Sequence, residues 1–206
     1  MSKSVVFILD ETGSMVPQRE QTITKFNEYL DETVKAVKRT NPIKFTFVLF
    51  NSAKYEVREK DTPIKKVSKI NYDNYKPQAN TPLYDAIGKT VSDMKGPALV
   101  VVLTDGQENS SKEYNLTAIQ SLIYDKEKDG WTFVFLGSDL TVSGQAVYMG
   151  VQAHNTASYR GDTGVAMAAI GAVTRSYAGG QSLGTTQSYV DEAEARKEAQ
   201  NASKDD

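Results

Sequence analysis

Several short stretches of this chain are apolar without a break, among them VVFIL at 5–9, ALVVVL at 98–103 and FVFL at 133–136. A strand wetted on one face alternates polar and apolar residues, so unbroken runs belong to strands covered on both faces. Between them lie longer segments of helical spacing, such as Ile23, Phe26, Leu30, Val34 and Val37 within 17–40. Strands covered on both sides and separated by helices predict an α/β fold around a mainly parallel sheet.

The order of elements can be followed along the chain. A strand at 4–10 leads into the helix over 17–40, which has Pro17 near its start and basic residues at its end. IKFTFVLFN (43–51) and KYEVREK (54–60), separated by two residues, form a hairpin whose second strand is an antiparallel edge carrying exposed charges. Helices are expected at 81–94, 115–129, 140–150 and 162–178, strands at 97–105 and 131–137, and a short extended piece at 152–158. The expected architecture is Rossmann-like and doubly wound: a mostly parallel central sheet of about six strands, one antiparallel edge strand, and helices on both faces. One domain covers 1–180, and 181–206, poor in apolar residues and rich in Ala, Glu and Lys, is a flexible or partly helical C-terminal tail.

Composition removes several classes of function. Without cysteine there is no disulfide, thiolate nucleophile or sulfur-ligated metal, so any metal must be held by oxygen. The formal net charge of −2 supplies no global drive toward nucleic acid or anionic lipid. The first apolar run is too short for a signal-peptide core, and nothing approaches the ~20 apolar residues of a membrane span. The expectation is a cytoplasmic protein, monomeric by itself, with neither nucleic acid nor membrane as partner.

In open α/β sheets ligands collect beyond the carboxyl ends of the strands. The first strand ends in DETGSM (10–15), the strand at 97–105 ends in TDGQEN (104–109), and QANTPLYDAI (78–87) opens a helix. These three loops would bring Asp10, Thr12, Ser14, Thr81 and Asp105 to one rim, all of them oxygen donors. Two carboxylates and three hydroxyls suit a hard divalent cation such as Mg²⁺. Gly13 is expected to let the backbone bend so that both hydroxyls face the same point. Read alone, DETGSM is equally a helix-capping turn, and TDGQEN a type I turn using Asp and Gly for backbone reasons.

ILDETGSM resembles the first metal-site motif of von Willebrand factor A domains, Asp-x-Ser-x-Ser, with Thr12 in place of the first Ser. NTPLYDAI is similar to the loop holding the second-motif threonine, and VVLTDGQEN to the strand ending in Thr-Asp-Gly. The three occur in family order over about residues 4–178. The resemblance implies a metal ion-dependent adhesion site of the stand-alone intracellular type. In it Thr12, Ser14 and Thr81 supply hydroxyls, and Asp10 and Asp105 bind directly or through water. The site holds one ion, Mg²⁺ or else Mn²⁺ or Ca²⁺, and an Asp or Glu carboxylate of a partner protein completes the coordination. The implied function is metal-dependent protein binding, an adaptor or adhesion role without catalysis.

A rival reading comes from DETGS, which is also similar to DKTGT, the phosphorylated-aspartate motif within the haloacid dehalogenase-like hydrolases. There Asp10 is the nucleophile of an Mg²⁺-dependent phosphohydrolase or phosphotransferase and Asp105 helps hold the ion. Thr12 stands where soluble members carry an acid/base Asp, and Thr81 has no role. Of the remaining polar residues, Glu11 and Glu108 are expected as solvent-exposed loop residues and His154 as a surface or structural histidine. Lys54, Arg58, Lys60, Lys65, Lys66, Lys69 and Lys76, interleaved with acids, are read as a solvated edge, and Trp131 as core or core edge.

Overall fold

The computed structural model describes residues 2–37 and 42–203. Strand β1 (Lys3–Asp10) runs into a 3-10 helix, Gly13–Gln18, and then helix α1 (Arg19–Ala36). β2 (Ile43–Asn51) and β3 (Lys54–Pro63) follow, then α2 (Leu83–Ser92), β4 (Ala98–Thr104) and α3 (Leu116–Lys128). β5 (Thr132–Gly137), α4 (Leu140–Tyr148), β6 (Thr156–Ser158), α5 (Thr163–Gly179) and α6 (Thr186–Ala202) complete the chain. The helix expected over 17–40 starts later, because Pro17 lies in the 3-10 turn, and it stops where Val37 becomes extended; residues 38–41 lie outside the described residues.

The sheet has six strands in the order β3-β2-β1-β4-β5-β6. Every pairing is parallel except β2 with β3, the antiparallel edge. The expected fold class is therefore the observed one. Alternate residues of β1 feed the two cores: Val5, Phe7 and Leu9 pack with α1, α5 and α6, while Val6 and Ile8 pack with α2, α3 and α4. Unbroken apolar strands are the direct consequence, because neither face of β1 or β4 meets water.

An aromatic cluster holds α1 on the sheet. Phe26 stacks on Phe47 with ring centroids 4.5 Å apart, and Phe7 meets Phe26 edge-on at 5.5 Å. Each such ring contributes on the order of 1.5–3 kcal/mol by burial. The contact matters for function because the loop leaving β1 is stretched between two fixed points, the strand and this helix.

On the β3 edge Lys54 and Arg58 pair with Glu56, and Lys60 with Asp93, so the basic residues there are locally neutralised, as a solvated edge requires. Residues 181–206, expected as a flexible or partly helical tail, contain α6. Thr185 caps its start by accepting the Ser188 N–H, Val190 and Ala193 are buried against α5, and Arg160 and Asp162 pair with Glu194 and Lys197. Only two of its apolar residues, Val190 and Ala193, are buried in a 17-residue helix, a faint sequence signal, which is why composition suggested no more than a flexible or partly helical tail. No helix among the described residues is long and apolar enough to cross a membrane.

Candidate metal centre

Strand order reverses between β1 and β4, and the crevice beyond their carboxyl ends is the place where this topology holds ligands. Asp10 closes β1, and Asp105 follows β4 directly. Asp10 is wholly buried: its Oδ1 accepts the Thr12 backbone N–H at 2.6 Å and its Oδ2 accepts the Thr104 hydroxyl at 2.5 Å. Ser14 Oγ donates to Asp105 Oδ1 at 2.5 Å and lies 3.0 Å from Thr12 Oγ1. A serine hydroxyl has one proton, and that of Ser14 is engaged by Asp105, so Thr12 is the donor in the second contact. Thr12, Ser14 and Asp105 thus form one hydrogen-bonded chain at the crevice.

Thr81 arrives from the third loop. A Cβ built at Gly106 would fall 2.7 Å from Thr81 Oγ1 and 3.6 Å from Ser14 Oγ. Thr81 and Ser14 therefore converge on the space beside Gly106, and only a residue without a side chain leaves that space open. All five residues singled out in the sequence meet here, with Asp10 at the deep end and exposed Ser14 and half-buried Asp105 at the mouth.

Neither hydroxyl loop is explained by helix capping. Thr12 precedes the 3-10 helix and Pro82 precedes α2, yet neither end has a side-chain cap, and the Thr12 hydroxyl turns to Ser14 instead. The chain turns at Gly13 into the 3-10 helix and brings the Thr12 and Ser14 hydroxyls together as expected, but Gly13 is not at positive φ. Its N–H donates to Ala79 O at 3.0 Å and a Cβ would lie 3.3 Å from that oxygen, so the missing side chain permits two backbones to meet. Gly106, read as a turn glycine, likewise serves by leaving room rather than by its φ.

Glu11 and Glu108 also depart from expectation. Glu11 is 2 % exposed and accepts the Lys76 N–H, and its own backbone bonds to Phe50, Asn51 and Gln78. Glu108 is half-buried and accepts from the Tyr84, Ser110 and Ser111 amides and the Ser111 hydroxyl. Both are loop organisers. Alternation and charge could not reveal this, because their partners lie far away in sequence or in irregular backbone. Asn109 joins two of the loops, accepting the Thr81 N–H at 2.8 Å and donating its own N–H to Thr81 O. Tyr75 donates to Asp10 O at 2.8 Å, and Ser138 Oγ to Asp105 O at 3.1 Å. His154 is exposed, and Trp131 is buried against Phe133 as expected.

The electrostatics of the crevice are set by its two carboxyls. Burial pushes the Asp10 carboxyl up to about 7, against the lowering effect of Thr104 and Thr12, and Asp105 raises it further. Burial also raises Asp105, with Ser14 opposing. Among the described residues no lysine or arginine pairs with either carboxylate. Two desolvated carboxylates with no cationic side chain, faced by three hydroxyls, form a donor set that fits a hard divalent ion. No cluster of three or more His, Cys, Asp or Glu among the described residues could hold a metal, so such a set must include hydroxyls.

The family model of the von Willebrand factor type A domain matches residues 4–160. The chain belongs to this family. Domains of the family serve protein–protein interaction and metal-dependent adhesion and are generally not enzymes. Among solved structures this von Willebrand A domain is similar to proximal thread matrix protein 1 of the mussel byssus, at 18% identity and TM-score 0.47, over 66% of this chain and 35% of that chain. It is also similar to the ArnB paralog VWA2 of Sulfolobus acidocaldarius, at 18% identity and TM-score 0.43, over 66% and 34%. A third is the manganese-loaded TRAP protein of Plasmodium vivax, at 14% identity and TM-score 0.49, over 81% and 71%. The chain thus spans about a third of the length of the first of these. No curated protein matches it.

Proposed function

We propose that this von Willebrand A domain is a metal-dependent protein-binding module in which Thr12, Ser14 and Thr81 hold one divalent ion, Mg²⁺ or else Mn²⁺ or Ca²⁺, with Asp10 and Asp105 acting directly or through water. The observation that carries this reading is the convergence of Thr81 and Ser14 on the space that Gly106 leaves open, beside two carboxylates without a cationic partner. The ion would supply one strong directional bond to an Asp or Glu carboxylate of a partner protein. The protein's own residues do the rest: Tyr75 and Ser138 anchor the two strand ends, Asn109 and Glu108 set the loops, and the buried Asp10 orients the first loop through the Thr12 amide.

The hydrolase reading asks Asp10 to attack a phosphorus atom. Both of its oxygens are engaged and the residue has no exposed surface, which disfavours in-line approach. The same proposal takes the domain as a cytoplasmic, non-catalytic, monomeric adaptor of residues 1–180, with 181–206 as an appendage that can contact the partner. The test is thermal denaturation with Mg²⁺ or Mn²⁺: the ion raises the melting temperature of the wild type but not of Asp10→Ala or Asp105→Ala. A partner from the source cell retained equally by wild type and by folded Asp10→Ala and Ser14→Ala variants would sink metal-mediated binding. Asp10-dependent turnover of a phosphomonoester would replace it with the hydrolase.

A further inference from the structure

A second polar cavity of about 220 Å³ lies on the far side of the Thr81 loop, between the β2–β3 turn, the start of α2 and residues 110–113. It is smaller than the roughly 300–1,000 Å³ of drug-sized sites and is the size of a side-chain pocket. Its buried floor is Phe50, Pro82 and Ala86, and its lining carries three lysines, Lys54, Lys89 and Lys112, together with Glu113. Lys89 is held by Glu113 at 2.7 Å and Lys54 by Glu56, whereas Lys112 forms no ion pair among the described residues. The one buried aspartate in the wall is not free to oppose them: Asp85 accepts the backbone N–H groups of Lys112, Glu113 and Tyr114. Ser110 Oγ is buried in the same wall without a hydrogen-bond partner.

The cavity and the metal centre share both of their dividing segments. Thr81 serves the metal centre and Pro82 the cavity; Asn109 holds Thr81 and Ser110 lines the cavity. Ser52 fastens the divider by exchanging bonds with Asn80 at 2.9 and 3.0 Å. Consecutive residues are about 3.8 Å apart, so an extended peptide crossing the divider reaches both places within a few residues.

We infer that this cavity is a second carboxylate pocket, in which Lys112, Lys89 and the Ser110 hydroxyl receive an acidic side chain of the same partner segment that offers its first carboxylate to the metal centre. The inference rests on the metal-binding reading for the first carboxylate only. A lining of lysines beside an apolar floor suits a carboxylate on a short aliphatic stem, with the stem on Phe50 and Ala86 and the charge at the lysines. The divider then sets the spacing of the two acids, which gives the domain a sequence preference that a lone ion cannot supply.

The probe is a set of fluorescent serine-rich peptides carrying one glutamate, or two at varied spacing, titrated in Mg²⁺. At one spacing the two-glutamate peptide binds about tenfold tighter than the one-glutamate peptide, the scale of one charge-assisted hydrogen bond. Lys89→Gln with Lys112→Gln, or Lys112→Glu alone, removes this advantage and leaves the one-glutamate peptide unchanged. An advantage that persists in both variants, or none at any spacing, overturns the pocket. If Asp105→Ala leaves one-glutamate binding intact, the metal reading fails instead. In that same Asp105→Ala protein, glutarate shifts the amide resonances of Ser110 and Lys112, which reads the pocket independently of any ion; no shift, or a shift by inorganic phosphate alone, overturns it.

Discussion

Gly106→Ala is the substitution that the crevice geometry makes most specific. The new methyl lies 2.7 Å from Thr81 Oγ1, well inside contact, and 3.6 Å from Ser14 Oγ, which is ordinary contact. Two escapes exist. Thr81 can rotate about χ1 and take its hydroxyl away from its present position, leaving either its methyl or its Cβ hydrogen there. Alternatively the 104–109 loop backs away, drawing Asp105 with it and straining the Asn109–Thr81 and Ser138–Asp105 bonds. Either response removes an oxygen from the donor set, whereas the cost to the fold is that of an overpacked methyl, about 1–3 kcal/mol. If a comparable amount is lost from ion binding, affinity for Mn²⁺ falls about 5- to 150-fold. Isothermal titration with Mn²⁺, beside a denaturant melt, separates the two effects. Undiminished affinity in a folded Gly106→Ala protein, alongside loss in Thr81→Ala, would refute the claim that the vacant Cβ position belongs to the ion site.

Other substitutions probe the frame. Asp85→Asn weakens the capture of three backbone N–H groups and destabilises the fold by about 1–3 kcal/mol in urea. Burial raises the Asp85 carboxyl but these bonds outweigh it and hold it below its ordinary value. The advantage of the ionised wild type is therefore complete above the unfolded pKa of about 4 and disappears as pH falls through the lower folded value. A wild-type margin over Asp85→Asn that grew on acidification would contradict this. Val190→Ala removes two methyl-sized groups from a fully buried position on α6 and costs about 2 kcal/mol, with hydrogen exchange speeding first in 186–202; unchanged exchange there would show that α6 is not held by this contact. Tyr75→Phe leaves Asp10 O without its buried donor and costs about 1–2 kcal/mol, read as a lower melting temperature, while a neutral outcome would mean that water replaces the hydroxyl.

Most elements were legible because each is a local property. The double-sided apolarity of 5–9 and 98–103 marks central parallel strands wherever they lie, and the charged run 54–60 marks an edge. The ligand candidates were legible for a different reason: strand-terminal Asp10 and Asp105 must share a rim once the sheet is parallel, and hydroxyls in the adjoining loops follow them there. What escaped were residues whose role depends on a partner distant in sequence. Glu11 looked like a wetted loop acid and is buried with the Lys76 N–H on its carboxylate, Glu108 looked exposed and ties three amides, and Thr104, assigned no role from sequence, holds Asp10.

The sequence by itself determined the fold class, the direction of the strands and the oxygen-only character of the crevice, because hydrophobic period and side-chain chemistry are carried by each segment alone. Only the tertiary structure decided that Gly13 and Gly106 act by the room they leave, and that α6 lies against α5. It alone also set lysines from β3, α2 and the 110–113 loop around one cavity beside the crevice of Asp10 and Asp105. Those are distances between atoms from separate segments, fixed when the sheet closes and the two helical layers pack, and no local period encodes them.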